Sequence, residues 1–188
     1  MKALSIRSLV FTALFAALFI VMSLQQMKIT SSVVPLTFQT LGVIMAGIFL
    51  KPKQAFISIF AVIILGAIGL PVFGGKGGIS HILGATGGYI VAFPFCAMLI
   101  SFIVGNWLSS NKNKSVVQVI VLYILFVLAS IVFVYAIGVP WMMVAIDYSL
   151  QKALAAGCYP FIPGDLIKAA IGIGLLFALK PTIAKTRF

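Results

Sequence analysis

Few residues in this chain can carry chemistry. Of its 188 residues two are acidic, Asp147 and Asp165, and one is a histidine, His81. An acid–base scheme with paired carboxylates would need both aspartates in one cavity, so a membrane-embedded enzyme using Asp147 and Asp165 stands as the alternative to a binding function. His81 has no acidic residue near it in sequence and reads as structural. Cys96 and Cys158 lie in or beside apolar stretches without metal-ligand spacing. They read as inert small hydrophobes, with neither a disulfide framework nor a metal site. The run Gly69-Leu-Pro-Val-Phe-Gly-Gly-Lys76 superficially follows a phosphate-binding loop, but five residues separate Gly69 from Gly75 and Gly77 replaces the required Ser or Thr. Any ATP-driven step therefore belongs to another polypeptide.

Asp165 and Lys168 are the strongest signal, because each charge inside a membrane span costs about 2.5–3.5 kcal/mol on insertion scales and such groups face the bundle interior. Their i, i+3 spacing puts them on one helix face. Lys168 stands about 18 Å above Lys180 at 1.5 Å per residue, which in a core of roughly 30 Å leaves it about 12 Å below the outer surface. A carboxylate there accepts paired N–H donors, and the lysine donates to a carbonyl or carboxylate. The alternative is an ion pair that neutralises itself and seats its helix. Gln39 and Thr37 early in the second helix, and Thr86 and Tyr89 where the fourth begins, are expected to line the same cavity. Gly84, Gly87 and Gly88 allow close backbone approach, to a ligand or to another helix. Trp141 and Tyr159 read first as interfacial aromatics and second as pocket walls.

These residues need a scaffold, and composition identifies its solvent. Hydrophobic residues make up 63% of the chain and charged ones 8%, and mean hydropathy is +1.25, outside the soluble globular range. About 20 apolar residues in helix cross a bilayer core. The stretches free of Lys, Arg, Asp and Glu predict helices near 7–25, 36–50, 54–70, 85–108, 115–138 and 164–183. The expected fold is all-α: one domain over 1–188, an integral membrane bundle of six transmembrane helices, with Lys51-Pro52-Lys53 as a tight hairpin. The apolar run after Arg7 is too long for a signal peptide's core and lacks a cleavage site, so it reads as the first helix. The connections 69–78 and 138–164 are rich in Gly, Pro and aromatics. They are expected to roof an outward-facing pocket, the second with a short extra helix around Trp141 to Ala155.

The net charge of +11 does not point to nucleic acid, because the bases stand singly or in pairs without a basic face. With the N-terminus inside, nine Lys and Arg fall on inner segments and three, Lys28, Lys76 and Lys152, on outer ones. That asymmetry predicts cytoplasmic N- and C-termini. The inner half lacks the continuous polar stripe of a passive channel. The first helix also carries Ala13-x-x-x-Ala17, a pattern that lets another helix approach closely.

Four segments, Val34-Pro-Leu-Thr-Phe-Gln-Thr-Leu-Gly42, Leu65-Gly-Ala-Ile-Gly-Leu-Pro-Val-Phe73, Gly84-Ala-Thr-Gly-Gly-Tyr89 and Pro160-Phe-Ile-Pro-Gly-Asp-Leu-Ile-Lys168, resemble the BioY family. The likeness runs from the first helix to the last, and the Asp–Lys segment is its most specific part. It implies a biotin-binding subunit (S component) of an energy-coupling-factor (ECF) vitamin importer, sited in the bacterial cell membrane. Such a protein is no enzyme and carries no cofactor, biotin being the transported ligand. The implied partners, besides membrane lipid, are one transmembrane coupling protein and two cytoplasmic ATPases. Ala13 and Ala17 correspond to the family's docking surface for the coupling protein. Biotin offers a ureido ring with two N–H donors and a carbonyl, and a valerate carboxylate, which suit Asp165 and Lys168. Gln39, Tyr89, Thr86 and Gly87 are expected beside them. Without the resemblance, the residues support only a transporter or receptor for a small, vitamin-like solute.

The charge asymmetry is testable by labelling. With Cys96 and Cys158 replaced, a cysteine near Lys28 or Lys76 is expected to react with an impermeant thiol reagent added outside, and one near Lys53 or Lys112 is not. The reverse pattern would overturn the orientation.

Overall fold

The computed structural model describes residues 6–27, 34–110 and 116–187. Lys2, Lys28, Lys112 and Lys114, which enter the charge count above, lie outside the described residues. The chain folds as helices with one small strand pair. Helix α1 (Ile6–Leu24) buries Phe15, Phe19 and Ser23, while Leu9, Val10, Leu14 and Val21 stay exposed. Strands β1 (Gln26–Met27) and β2 (Leu36–Thr37) pair antiparallel, Gln26 opposite Thr37. They precede α2 (Gln39–Phe49) and α3 (Pro52–Ala67). Proline suits the first position of α3, where no N–H bond is lost, and the Gln54 side chain accepts from the Lys51 N–H at 3.0 Å to close the expected hairpin.

The glycine-rich connection holds a single-turn helix, α4 (Ile79–Ile82), ahead of the long α5 (Gly87–Ser109). Next come α6 (Val116–Val127), a π-helical turn (Leu128–Val132) and α7 (Phe133–Ala145). These three form one apolar helix of 30 residues. The expected break at Gly138-Val-Pro-Trp141 is therefore absent. Pro140 sits inside α7, as proline does in membrane helices, where neighbouring groups and local adjustment of the helix make up for its missing hydrogen bond. The extra helix is α8 (Leu150–Gly157), capped by Ser149, and excludes Trp141. It is followed by α9 (Ile162–Ala178) and α10 (Lys180–Arg187). The sixth expected helix, 164–183, is thus divided at Leu179.

Buried α2 packs against α1, α5 and α9, and α5 also packs on α3 and α7. Its two ends differ in chemistry. At the C-terminal end Arg187 reaches in and donates to Gly47 O and Ile48 O at 2.8 and 2.7 Å, and to Ser101 O and Oγ at 2.6 and 2.9 Å. A cation there satisfies helix-end carbonyls that have no intrahelical partner. Arg7 joins the same end through Lys185 O at 3.3 Å. Among the described residues three helices, α1, α5 and the α6–α7 unit, are long and apolar enough to cross a membrane. The pair α8 and α9, bent by 49°, makes a fourth candidate, while α2 and α3 are shorter apolar helices.

Candidate functional site

The opposite end of the bundle encloses a cavity of about 240 Å³. Its wall is assembled from the start of α2, the glycine-rich turn, α4, the start of α5, the π-turn with α7, and the start of α9. Asp165 and Lys168 are both in that wall and both buried. Pro163 is the second residue of α9, and Asp165 follows in the same first turn, where the helix dipole favours negative charge.

The partners of this pair among the described residues can be named. Lys168 Nζ donates to Asp165 Oδ1 at 2.8 Å, the single ion pair among the described residues, and to the backbone oxygen of Thr37 at 2.6 Å. Tyr135 OH donates to Asp165 Oδ2 at 2.5 Å. An ammonium has three donors and each carboxylate oxygen two acceptor sites. The group therefore retains one donor and at least two acceptor positions. That is the complement of a small planar group with paired N–H donors and a carbonyl.

The other expected residues divide into two sets. Gln39, Thr37, Thr86, Tyr89 and Gly84 line the cavity. Gln39 Nε2 donates to Ser23 Oγ at 2.6 Å, and Thr37 Oγ1 donates to Gln39 Oε1 at 3.3 Å. Tyr89 OH donates to Gly157 O at 2.8 Å, tying α5 to the end of α8. Gly87 is not among the lining residues; a Cβ at Gly87 or at Gly88 would strike the Trp141 side chain. These two glycines let α5 and α7 close on each other, and Trp141 Nε1 donates to Gly84 O at 3.0 Å across the same contact. Trp141 is thus a brace behind the cavity. Tyr159 is exposed. Asp147, exposed in the turn after α7 at φ 51°, is also outside the lining, so the two aspartates share no cavity. Cys96 and Cys158 are buried free thiols.

Sequence reasoning missed Tyr135, Ser130, Ser23 and Gln26, together with the cavity positions of Lys76 and His81. Tyr135 stands 30 positions before Asp165, and no helical periodicity links them. The usable signal was chemical: a tyrosine in an apolar span must find a partner for its hydroxyl. His81 packs beside Phe73, ring centroids 6.0 Å apart. Burial first, and then the charge of Lys76, hold its imidazole below the ordinary value.

Comparison with known proteins fits this geometry. The sequence profile described as the BioY family matches residues 1–185. The chain belongs to the BioY family. It is 44% identical over 162 residues to the probable biotin transporter BioY of Pyrococcus horikoshii, covering 86% of this chain and 88% of that protein. It is 36% identical to the probable biotin transporter BioY of Bacillus subtilis, covering 93% and 88%. A solved S-component for biotin from an ECF-type ABC transporter superposes with a TM-score of 0.83 at 31% identity, covering 96% of this chain and 94% of that one. The resemblance read from the four segments is thereby confirmed, and these relatives are named as transporters, not enzymes.

Replacing Tyr135 by Phe removes one donor from a buried carboxylate. Thermal unfolding in detergent is expected to show a loss of about 1.5–3 kcal/mol, the range for a hydrogen bond to a charged group. An unchanged unfolding midpoint would mean that the hydroxyl does not support Asp165.

Proposed function

We propose that this chain is the biotin-binding membrane subunit, the S component, of an ECF-type ATP-driven vitamin importer in the bacterial cell membrane. The observation that carries the reading is the buried Asp165–Lys168–Tyr135 group in the cavity wall of a BioY-family chain. Its free donor and acceptor positions match a ureido ring, and Gln39, Thr86 and Tyr89 are further ligand contacts. Gly87 contributes by letting the helices around the site approach each other.

In this reading six helical units cross the membrane: α1, α2, α3, α5, α6–α7, and α9 with α8. Both termini are cytoplasmic, and the cavity faces outward. Arg7, Lys51, Lys53, Lys180, Lys185 and Arg187 support that orientation, since they belong to the bundle end away from the cavity and positive charge favours the cytoplasmic side. Having no phosphate-binding loop, the chain works with a transmembrane coupling protein and two cytoplasmic ATPases. Ala13 and Ala17, both exposed on the outer face of α1, are the docking stripe.

Two measurements test this. Purified protein is expected to bind labelled biotin in competition with dethiobiotin more than with lipoate. Asp165→Asn should lower affinity by tenfold to several hundredfold, the order expected of about 1.5–3 kcal/mol for a charge-assisted bond. The double variant Asp165→Asn/Lys168→Met separates brace from binding site: recovery of full affinity would remove these residues as ligand contacts. Separately, Ala13→Leu or Ala17→Leu should block co-purification with the coupling protein and ATPases while biotin binding stays nearly intact. Equal loss of both would place the stripe inside the bundle.

A further inference from the structure

Among its described residues the cavity lining carries one cation more than its anion. Among the described lining residues the charged side chains are Asp165, Lys168 and Lys76. Asp165 and Lys168 neutralise each other at 2.8 Å, and no described carboxylate pairs with Lys76. A neutral ligand would leave this charge unused. A ligand with one carboxylate would balance it.

Lys76 is also held in place more firmly than an exposed lysine in a glycine-rich loop needs to be. Phe73 and Lys76 exchange both backbone hydrogen bonds at 3.0 Å around Gly74 and Gly75, whose φ values are +59° and +77°. Two successive positive φ angles make the tight turn that favours glycine at both central positions. Gln26 Nε2 donates to Gly74 O at 2.7 Å, and Gly74 N donates to Ser23 Oγ at 3.2 Å, so the turn is tied to the end of α1 and to β1. Beneath it the Phe73 ring is buried. The Lys76 backbone is thereby fixed at the cavity, while its exposed side chain keeps reach and hydration.

We propose that Lys76 is the anion subsite of this cavity, receiving the carboxylate of a monoanionic ligand whose neutral polar end is held by Asp165 and Lys168. Resting on the biotin reading, this sets the ligand's direction: ureido ring at the buried pair, valerate carboxylate at the glycine turn. Recognition then has two separable parts. Asp165 and Lys168 read hydrogen-bond donors, and Lys76 reads charge.

The test compares biotin with biotinamide, which keeps the ring system and loses the negative charge. Dissociation constants are measured for the wild-type chain, Lys76→Gln, Lys76→Arg and Asp165→Asn. Wild type should prefer biotin to biotinamide. Lys76→Gln should weaken biotin about tenfold, the order of one charge-assisted bond, and leave biotinamide within about twofold. Lys76→Arg should keep the preference, and Asp165→Asn should weaken both ligands alike. Normal wild-type affinity for biotin with both ligands, or neither, responding to Lys76→Gln would overturn the subsite alone. A wild-type chain that binds neither ligand would remove the biotin reading and this assignment together. Unchanged unfolding midpoints for the Lys76 variants exclude a folding effect.

Discussion

A carboxylate and an ammonium placed in an apolar bundle must be paired and hydrogen-bonded to the protein, and the arrangement of this molecule around its cavity follows from that constraint. Desolvating two charges costs several kcal/mol each even after relaxation, and their attraction offsets it only when further hydrogen bonds complete the shell. The partners come from three places: Asp165 and Lys168 from α9, Tyr135 from α7, and the Thr37 carbonyl from β2. Moving β2 or α7 removes a hydrogen-bond partner from a buried charge. The pair thus sets where β2, α7 and α9 meet.

The other end of α2 obeys the same logic with a different cation. Arg187 satisfies the carbonyls of Gly47 and Ile48, while Lys168 satisfies that of Thr37 just before the helix starts. Both cations belong to the last helical stretch of the chain, α9 and α10. The most buried helix is consequently pinned at its two ends by one neighbouring segment. The shortness of α2, 11 residues, makes that possible, since a single stretch of about 20 residues at 1.5 Å each spans its length.

Much of this was legible in the sequence because hydropathy and charge are local properties. Uninterrupted apolar runs marked α1, α3 and α5 to within a few residues, and an Asp and a Lys at i, i+3 could share one face wherever that helix packed. What stayed hidden depends on contacts between distant segments. Nothing near Tyr135 announces Asp165, and nothing near Ser23 announces Gln39 or the glycine turn. Gly138-Val-Pro-Trp141 has the composition of a loop, yet Pro140 is carried inside a helix and Trp141 fills the space left by Gly87 and Gly88. Composition reports a residue's preference in isolation, and the bundle overrode it there.

The π-turn at Leu128–Val132 bears on how this chain tolerates insertions and deletions. A π-turn is a regular helix with one surplus residue, held at a position where such bulges often serve a site. Deleting a residue from it would leave a straight α-helix, apolar throughout and still ample for a bilayer from its present 30 residues. Insertion into the membrane would proceed as before. Because the i→i+5 ring of the π-turn would become an ordinary i→i+4 ring, the helix on either side would keep its facing, with Tyr135 and Val134 still toward the cavity. A frame-preserving loss of one codon in α6, with no bulge to absorb it, would instead turn the rest of the helix by about 100°, leaving a protein long enough to insert as before but with a dismantled pocket.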